Sequence, residues 1–224
     1  MFNINNFKIQ TKDENKVNKK KNKKVLRHPI EKKHFNFLMD KIEKLETDEK
    51  VKFNKKLMNA LMYFTGMRIS EALLLDKNNI QELFTEGVYN LYCPKTYSYR
   101  LIYMGDEPLN NFMSYFKNGF EVDEMGLVNK WGNKLNFLTA ERWMVPYFKL
   151  LNEKYGGNVK ILKGNAWGLH SYRINFINQI IRAENIDVAS KMIGHTNIIT
   201  TCGYYRKMEI PPEKIREAFK KAAF

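Results

Sequence analysis

The sequence predicts a mainly α fold with one small antiparallel β-sheet, an α+β architecture. Apolar residues recur at helical spacing through most of the chain from Ile30 onward, one stretch alone alternates like a strand, and no internal repeat is present. Residues 31–45 place Phe35, Leu38, Ile42 and Leu45 at helical spacing. Thr47 or Asp48 suits the N-cap of the next helix, since a short side-chain oxygen accepts from an otherwise unpaired first-turn N–H. That helix carries Phe53, Leu57, Leu61 and Phe64 on one face and stops at Gly66, which tolerates a left-handed backbone. A further helical turn starts over Ser70 to Leu75.

Residues 87–104, GVYNLYCPKTYSYRLIYM, read as a β-hairpin with its turn at Pro94 to Ser98. Helices resume over about 107–117 and 139–155, where Pro146 should kink the second or end its first part. Residues 168–205 form short helices broken at Asn185 and Gly194. Pro211 and Pro212 open a last helix, 211–223, with a stripe of Ile215, Ala218, Phe219 and Ala222. Trp131, Trp143 and Trp167 belong to the core by base rate, and Tyr172 is assigned there too.

Composition narrows the function classes. A chain of 224 residues, 44% hydrophobic, can bury one sizeable core. No apolar run reaches the roughly 18 residues of a membrane span, so no membrane partner is expected. The N-terminus resembles neither a secretion signal nor an Arg-rich transit peptide. Cys93 and Cys202 are too far apart in sequence to read as a zinc motif or a disulfide framework, which fits a reducing, intracellular setting.

The net charge of +14 points to a polyanion, because neutralised phosphates release counterions. The lysine excess also has a compositional explanation, since Lys, Asn, Ile, Phe and Tyr are the residues of AT-rich codons. Residues 1–28 form a basic, solvated arm with the run Lys19, Lys20, Lys21, Lys23 and Lys24. Arginine is scarce by contrast, and lysine cannot reproduce its planar fork.

Three segments carry candidate chemistry. In LHSYRINFINQIIR, residues 169–182, His170 and Arg173 share a helix face and can converge on a phosphate, while Phe176, Ile177, Ile180 and Ile181 supply the buried side. In TGMRISEALLLD, residues 65–76, Arg68 stands between a helix stop and a new helix, with Glu71 three residues on to pair with or orient it. In KMIGHTNIITTCGYY, residues 191–205, Gly194 and His195 separate two helices and Tyr204 and Tyr205 close the segment. Read alone, that last segment also fits a helix-turn-helix that reads a DNA groove without chemistry.

Taken in order, these segments resemble the catalytic domain of the tyrosine recombinases: phage integrases, Xer-type resolvases and short fimbrial-switch invertases. Residues 65–75 match a box of the form TGxRxSExLxL, and residues 170–204 match HxLRHxxAxxL followed by LGHxxxxTTxxY. Lys95, in the hairpin with Arg100 beyond it, occupies the place of the family's catalytic lysine. The resemblance covers roughly residues 30–224. Ile174 departs from the second His that often follows the Arg. Residues 1–45 leave room for an arm and one helix, so a full core-binding domain is expected to be absent, the DNA clamp being missing, minimal or supplied in trans.

The resemblance implies a DNA breaking-rejoining domain over 29–224 and site-specific recombination through a 3′-phosphotyrosine, with integration, excision and inversion all open. It implies Arg68, Lys95, His170, Arg173 and His195 as catalytic residues and Tyr204 as nucleophile, with no cofactor and no metal. It implies double-stranded DNA as partner and a homo-tetramer assembled on DNA through the C-terminal helix, packing in cis being the alternative. A DNA-associated location follows, in cytoplasm or nucleoid, or in an organelle or virus-encoded setting. The alternatives are a non-catalytic helix-turn-helix-like DNA-binding protein or decayed recombinase, and a type IB topoisomerase.

Overall fold

The structure, a computed structural model, describes residues 27–116, 119–156, 166–195 and 197–203. The N-terminal run of lysines, Tyr204, Tyr205 and the helix expected over 211–223 lie outside the described residues. Among the described residues there are helices α1 Lys32–Leu45, α2 Glu49–Thr65, α3 Ile69–Ala72 and α4 Lys77–Glu86, then strands β1 Val88–Cys93 and β2 Ser98–Tyr103. Helices α5 Asp106–Met113, α6 Phe137–Tyr155, α7 His170–Ala183, α8 Ile186–Met192 and α9 Ile198–Cys202 follow. The mostly helical fold with a single two-stranded antiparallel sheet is the one the sequence predicts.

Helix α2 is the centre of the body. Asp48 caps it by accepting from the Val51 N–H at 2.9 Å, and Gly66 ends it with φ 64°. Leu57, Met58, Ala60, Leu61 and Met62 are all fully buried, and both α1 and α7 pack against this helix. Its buried polar groups are satisfied: Asn54 Oδ1 accepts from the Val128 N–H at 2.9 Å, and the Tyr172 hydroxyl donates to Asn59 Oδ1. A smaller cluster of Ile177, Ala189 and Ile193, flanked by Phe176, Ile180 and Ile181, fastens α8 to α7.

The hairpin pairs Val88 with Tyr103 through Cys93 with Ser98, leaving Pro94, Lys95, Thr96 and Tyr97 as the turn. Its inner face is Leu91, Cys93, Arg100 and Ile102, and its outer face exposes Tyr99, Leu101 and Tyr103. Arg100 is thus a charged residue on the buried face of a strand.

Four expectations change. Helix α4 is an addition; Asp76 caps it by accepting from the Asn79 N–H at 2.9 Å, and Gly87 ends it with φ 66°. Leu45 is exposed because α1 ends there. Trp131 is 73% exposed, held on a tight turn that Asn129 closes by accepting from the Trp131 and Asn133 N–H groups. Helix α6 continues past Pro146 as one element, so of the two expected effects Pro146 does not end its first part. Trp167 and Tyr172 are buried as expected.

Candidate active site

The site is built around one carboxylate. Gly66 turns the chain out of α2, Met67 is buried, and Arg68 becomes the extended N-cap of α3 with Glu71 at its third position. Glu71 is 1% exposed. Its carboxylate accepts from the Arg68 N–H at 2.7 Å, from Arg68 Nη1 at 2.6 Å and from Arg100 Nη2 at 3.0 Å. Arg173 Nη1 stands 3.9 Å away. A carboxylate taken out of water is costly unless charged donors replace its hydration. Burial would push the Glu71 carboxyl up. Arg100, the Arg68 N–H, Arg173 and the Arg68 side chain together outweigh it and hold the group below its usual range.

The guanidiniums also grip backbone. Arg173 on α7 donates to the Gly66 carbonyl at 2.9 Å and to the Ile193 carbonyl at 2.7 Å. Arg100 donates to the Met192 carbonyl at 3.0 Å. The end of α2, the inner strand face and the turn after α8 are therefore tied to one another through three arginines and one glutamate. Three positive groups against one negative leave a surplus of charge, which attracts an anion.

That surplus opens onto a cleft of about 360 Å³. Arg68, Arg173, His170 and Arg27 line it, and Phe137 and Glu141 of α6 stand among the other lining residues. The first turn of α7 forms part of its wall, and no side chain caps that helix. An uncapped helix start adds partial positive charge in the place where an anion would sit. A larger hollow of about 470 Å³ lies among Asn36, Glu43, Lys52 and Tyr115. Its lysines are paired within it, Lys56 to Glu43 at 2.7 Å and Lys52 to Glu49 at 2.6 Å, so it carries no such surplus.

The structure brings Arg68, His170 and Arg173 together in the cleft. His195 follows the Gly194 turn, with Nδ1 3.0 Å from Thr201 Oγ1. Burial first, then Arg173, Arg68, Arg100 and His170, lower its pKa to about 4, so the imidazole is neutral at pH 7. Lys95 stands exposed on the hairpin turn and does not line the cleft. Tyr204 lies outside the described residues. Among the described residues, no group of three or more His, Cys, Asp or Glu could hold a metal ion, and no helix is long and apolar enough to cross a membrane.

The sequence reading gave no role to Arg27 or Glu141 and treated Arg100 as a marker beside Lys95. Alternation offered a signal for Arg100, since it shares a strand face with Ile102. Arg27 had none: it donates to the Trp167 carbonyl, 140 residues away.

The phage integrase family profile matches residues 28–209. A search of the curated proteins gives no match. Among solved structures, the XerH site-specific recombinase bound to difH substrate is similar at TM-score 0.58 and 19% identity, over 88% of this chain and 55% of that one. XerA recombinase is similar at TM-score 0.58 and 17% identity, over 89% and 65%. The Tn1549 transposon integrase in complex with transposon right end DNA is similar at TM-score 0.60 and 18% identity, over 87% and 66%. The chain spans about half to two thirds of the length of these structures, and at such identities the likeness is one of fold. With its family profile running from the segment before α1 past the turn after α9, the chain belongs to the phage integrase family.

Proposed function

We propose that the chain performs site-specific DNA recombination by transesterification through a 3′-phosphotyrosine intermediate, within a breaking-rejoining domain spanning residues 29–224. The observation that carries this reading is the meeting of Arg68, His170 and Arg173 in one cleft, the two guanidiniums standing against the buried Glu71. The Tyr204 hydroxyl attacks the scissile phosphorus. The bond to the 5′ oxygen breaks, and Lys95 supplies the proton that makes it a 5′-hydroxyl. The partner strand's 5′-hydroxyl then attacks the phosphotyrosine, releasing Tyr204 and completing exchange without an external energy source.

Arg68 and Arg173 neutralise charge growing on the non-bridging oxygens, where a lost donor of this kind typically costs about 10²–10³ in rate. His170 holds the phosphate and manages the tyrosine proton. Neutral His195 adds a hydrogen bond to a phosphate oxygen. No cofactor is required in this scheme, because guanidinium charge meets the developing negative charge directly. Lys95 would reach the leaving oxygen from the exposed turn once DNA lies between hairpin and cleft. The apolar stripe Ile215, Ala218, Phe219 and Ala222 is proposed to dock on a neighbouring protomer in a tetramer on double-stranded DNA, which cross-linking on DNA would read. This places the protein with DNA inside the cell.

A nicked suicide duplex tests the chemistry. The wild type should become covalently attached to the 3′ end, while Tyr204→Phe should bind and give no adduct. An undiminished adduct from Tyr204→Phe would remove the assignment. Binding with no adduct from the wild type would leave the helix-turn-helix reading standing.

A further inference from the structure

We propose that Arg27 is a phosphate-binding residue of the cleft, receiving a DNA backbone phosphate next to the one held by Arg68 and Arg173. The inference rests on the DNA-processing reading above and assigns to that site a contact from outside its sequence motifs. Arg27 lies in the segment before α1, yet it lines the same cleft as Arg68, His170 and Arg173.

Its position is built. The His28 N–H donates to the Ala166 carbonyl at 2.9 Å, and the Ile30 N–H to the Ser171 carbonyl at 3.2 Å. Trp167 Nε1 donates to the Pro29 carbonyl at 3.1 Å. Residues 28–30 are thereby laid along the approach to α7. Arg27 Nη1 donates to the Trp167 carbonyl at 3.1 Å, tying the guanidinium to a residue three positions before the α7 start at His170. Gly168 makes room for it: a Cβ there would stand 3.2 Å from Arg27 Cζ and 3.4 Å from Nη1. The α7 start, which lines the same cleft as Arg27 and carries His170, has no side-chain cap.

Arg27 brings a third guanidinium to a cleft that already holds those of Arg68 and Arg173, with Glu141 among its other lining residues. Such crowding is repaid when anions arrive. The cleft is far larger than one phosphate, and successive phosphates on a strand lie only about 3.4 Å apart along the duplex axis. Residue type supports the same ligand. Lysine outnumbers arginine in this chain, whose arginines number eight among 38 basic residues, and arginine presents the planar fork that fits phosphate oxygens.

The test uses Arg27→Gln, whose amide can still donate to the Trp167 carbonyl but carries no charge. The full-length chain is titrated with a synthetic duplex from the DNA flanking its own gene at several salt concentrations. Thermal unfolding checks that the variant is folded. The slope of log affinity against log salt should shrink by about one, with affinity at low salt falling roughly 5- to 30-fold. Arg27→Lys should restore the slope, and it serves as the reading should Arg27→Gln unfold: it must keep the slope while binding a few-fold more weakly. Scanning single uncharged methylphosphonates along one strand should reveal a position that weakens the wild type and leaves Arg27→Gln unaffected. A wild-type slope in folded Arg27→Gln, a wild-type affinity in Arg27→Lys, or identical methylphosphonate profiles would overturn the proposal. Covalent capture by the wild type, run on the same duplex, tests the chemical reading separately, because the salt slope reports Arg27 whether or not an adduct forms.

Discussion

Glu71 has the most demanding position of any single side chain described. It is nearly inaccessible, and Arg68 and Arg100 hydrogen-bond to it while Arg173 stands just beyond. Replacing it with glutamine keeps the shape and removes the charge that holds the guanidiniums near one another. Breaking a buried charge cluster by removing one partner costs about 3–5 kcal/mol, because the remaining charges stay desolvated and repel. Glu71→Gln should lose stability on that scale in urea unfolding, and covalent capture of DNA should fall with it. Wild-type stability in this variant would show that solvent or rearrangement compensates the cluster. The sequence put Glu71 three residues from Arg68 and suggested a pair. It did not show that Arg100, 29 residues on, shares the carboxylate.

At the level of elements, the junction between α2 and α3 decides where the chemistry sits. Gly66 has φ 64°, and a Cβ there would fall 2.4 Å from Phe176 Cδ1, so α7 approaches α2 at a point only glycine allows. The same residue's carbonyl receives Arg173 Nη1. Gly66→Ala therefore combines left-handed strain with overpacking, and overpacking alone typically costs about 1–3 kcal/mol. A drop of several degrees in the unfolding midpoint is expected, with DNA capture reduced beyond the fraction unfolded, because Arg173 loses its seat. An unchanged midpoint would show that α7 can shift without penalty. The helix stop at residue 66 was legible in sequence, while the reason for glycine rather than asparagine came from the packing of Phe176.

For the molecule as a whole, acid should be the weak side of its stability. His195 has a folded pKa of about 4 against an ordinary 6.5, so between those values the unfolded chain binds a proton that the folded chain refuses. Stability therefore falls as pH drops through that window and levels below it. Glu71, held below its ordinary 4.5, acts in the same direction, its contribution being lost as pH falls through its folded value. A net charge of +14 at neutral pH grows as carboxylates are protonated, adding self-repulsion. Unfolding midpoints measured from pH 7 downward should decline through this range. The stability of the wild type relative to His195→Gln should decline with them, and a gap independent of pH would dismiss the role given to His195.

Caps, periodicity and turn residues act within a few positions of one another, which is why the main helices, the hairpin and the helix stops were readable from sequence alone. Arg68, His170, Arg173 and His195 were named together only through the resemblance of their segments to the tyrosine recombinases, since each segment alone left a reading without chemistry open. Whether a charge is buried or solvated depends on what arrives from far along the chain. Arg173 meets Gly66 across 107 residues, and Arg27 meets Trp167 across 140. Only the tertiary structure could therefore turn Arg100 into a buried partner of Glu71, seat Arg27 in the cleft, leave Lys95 outside it and expose Trp131 to solvent. Local hydrogen bonds select elements, while the desolvation of charge is settled by packing.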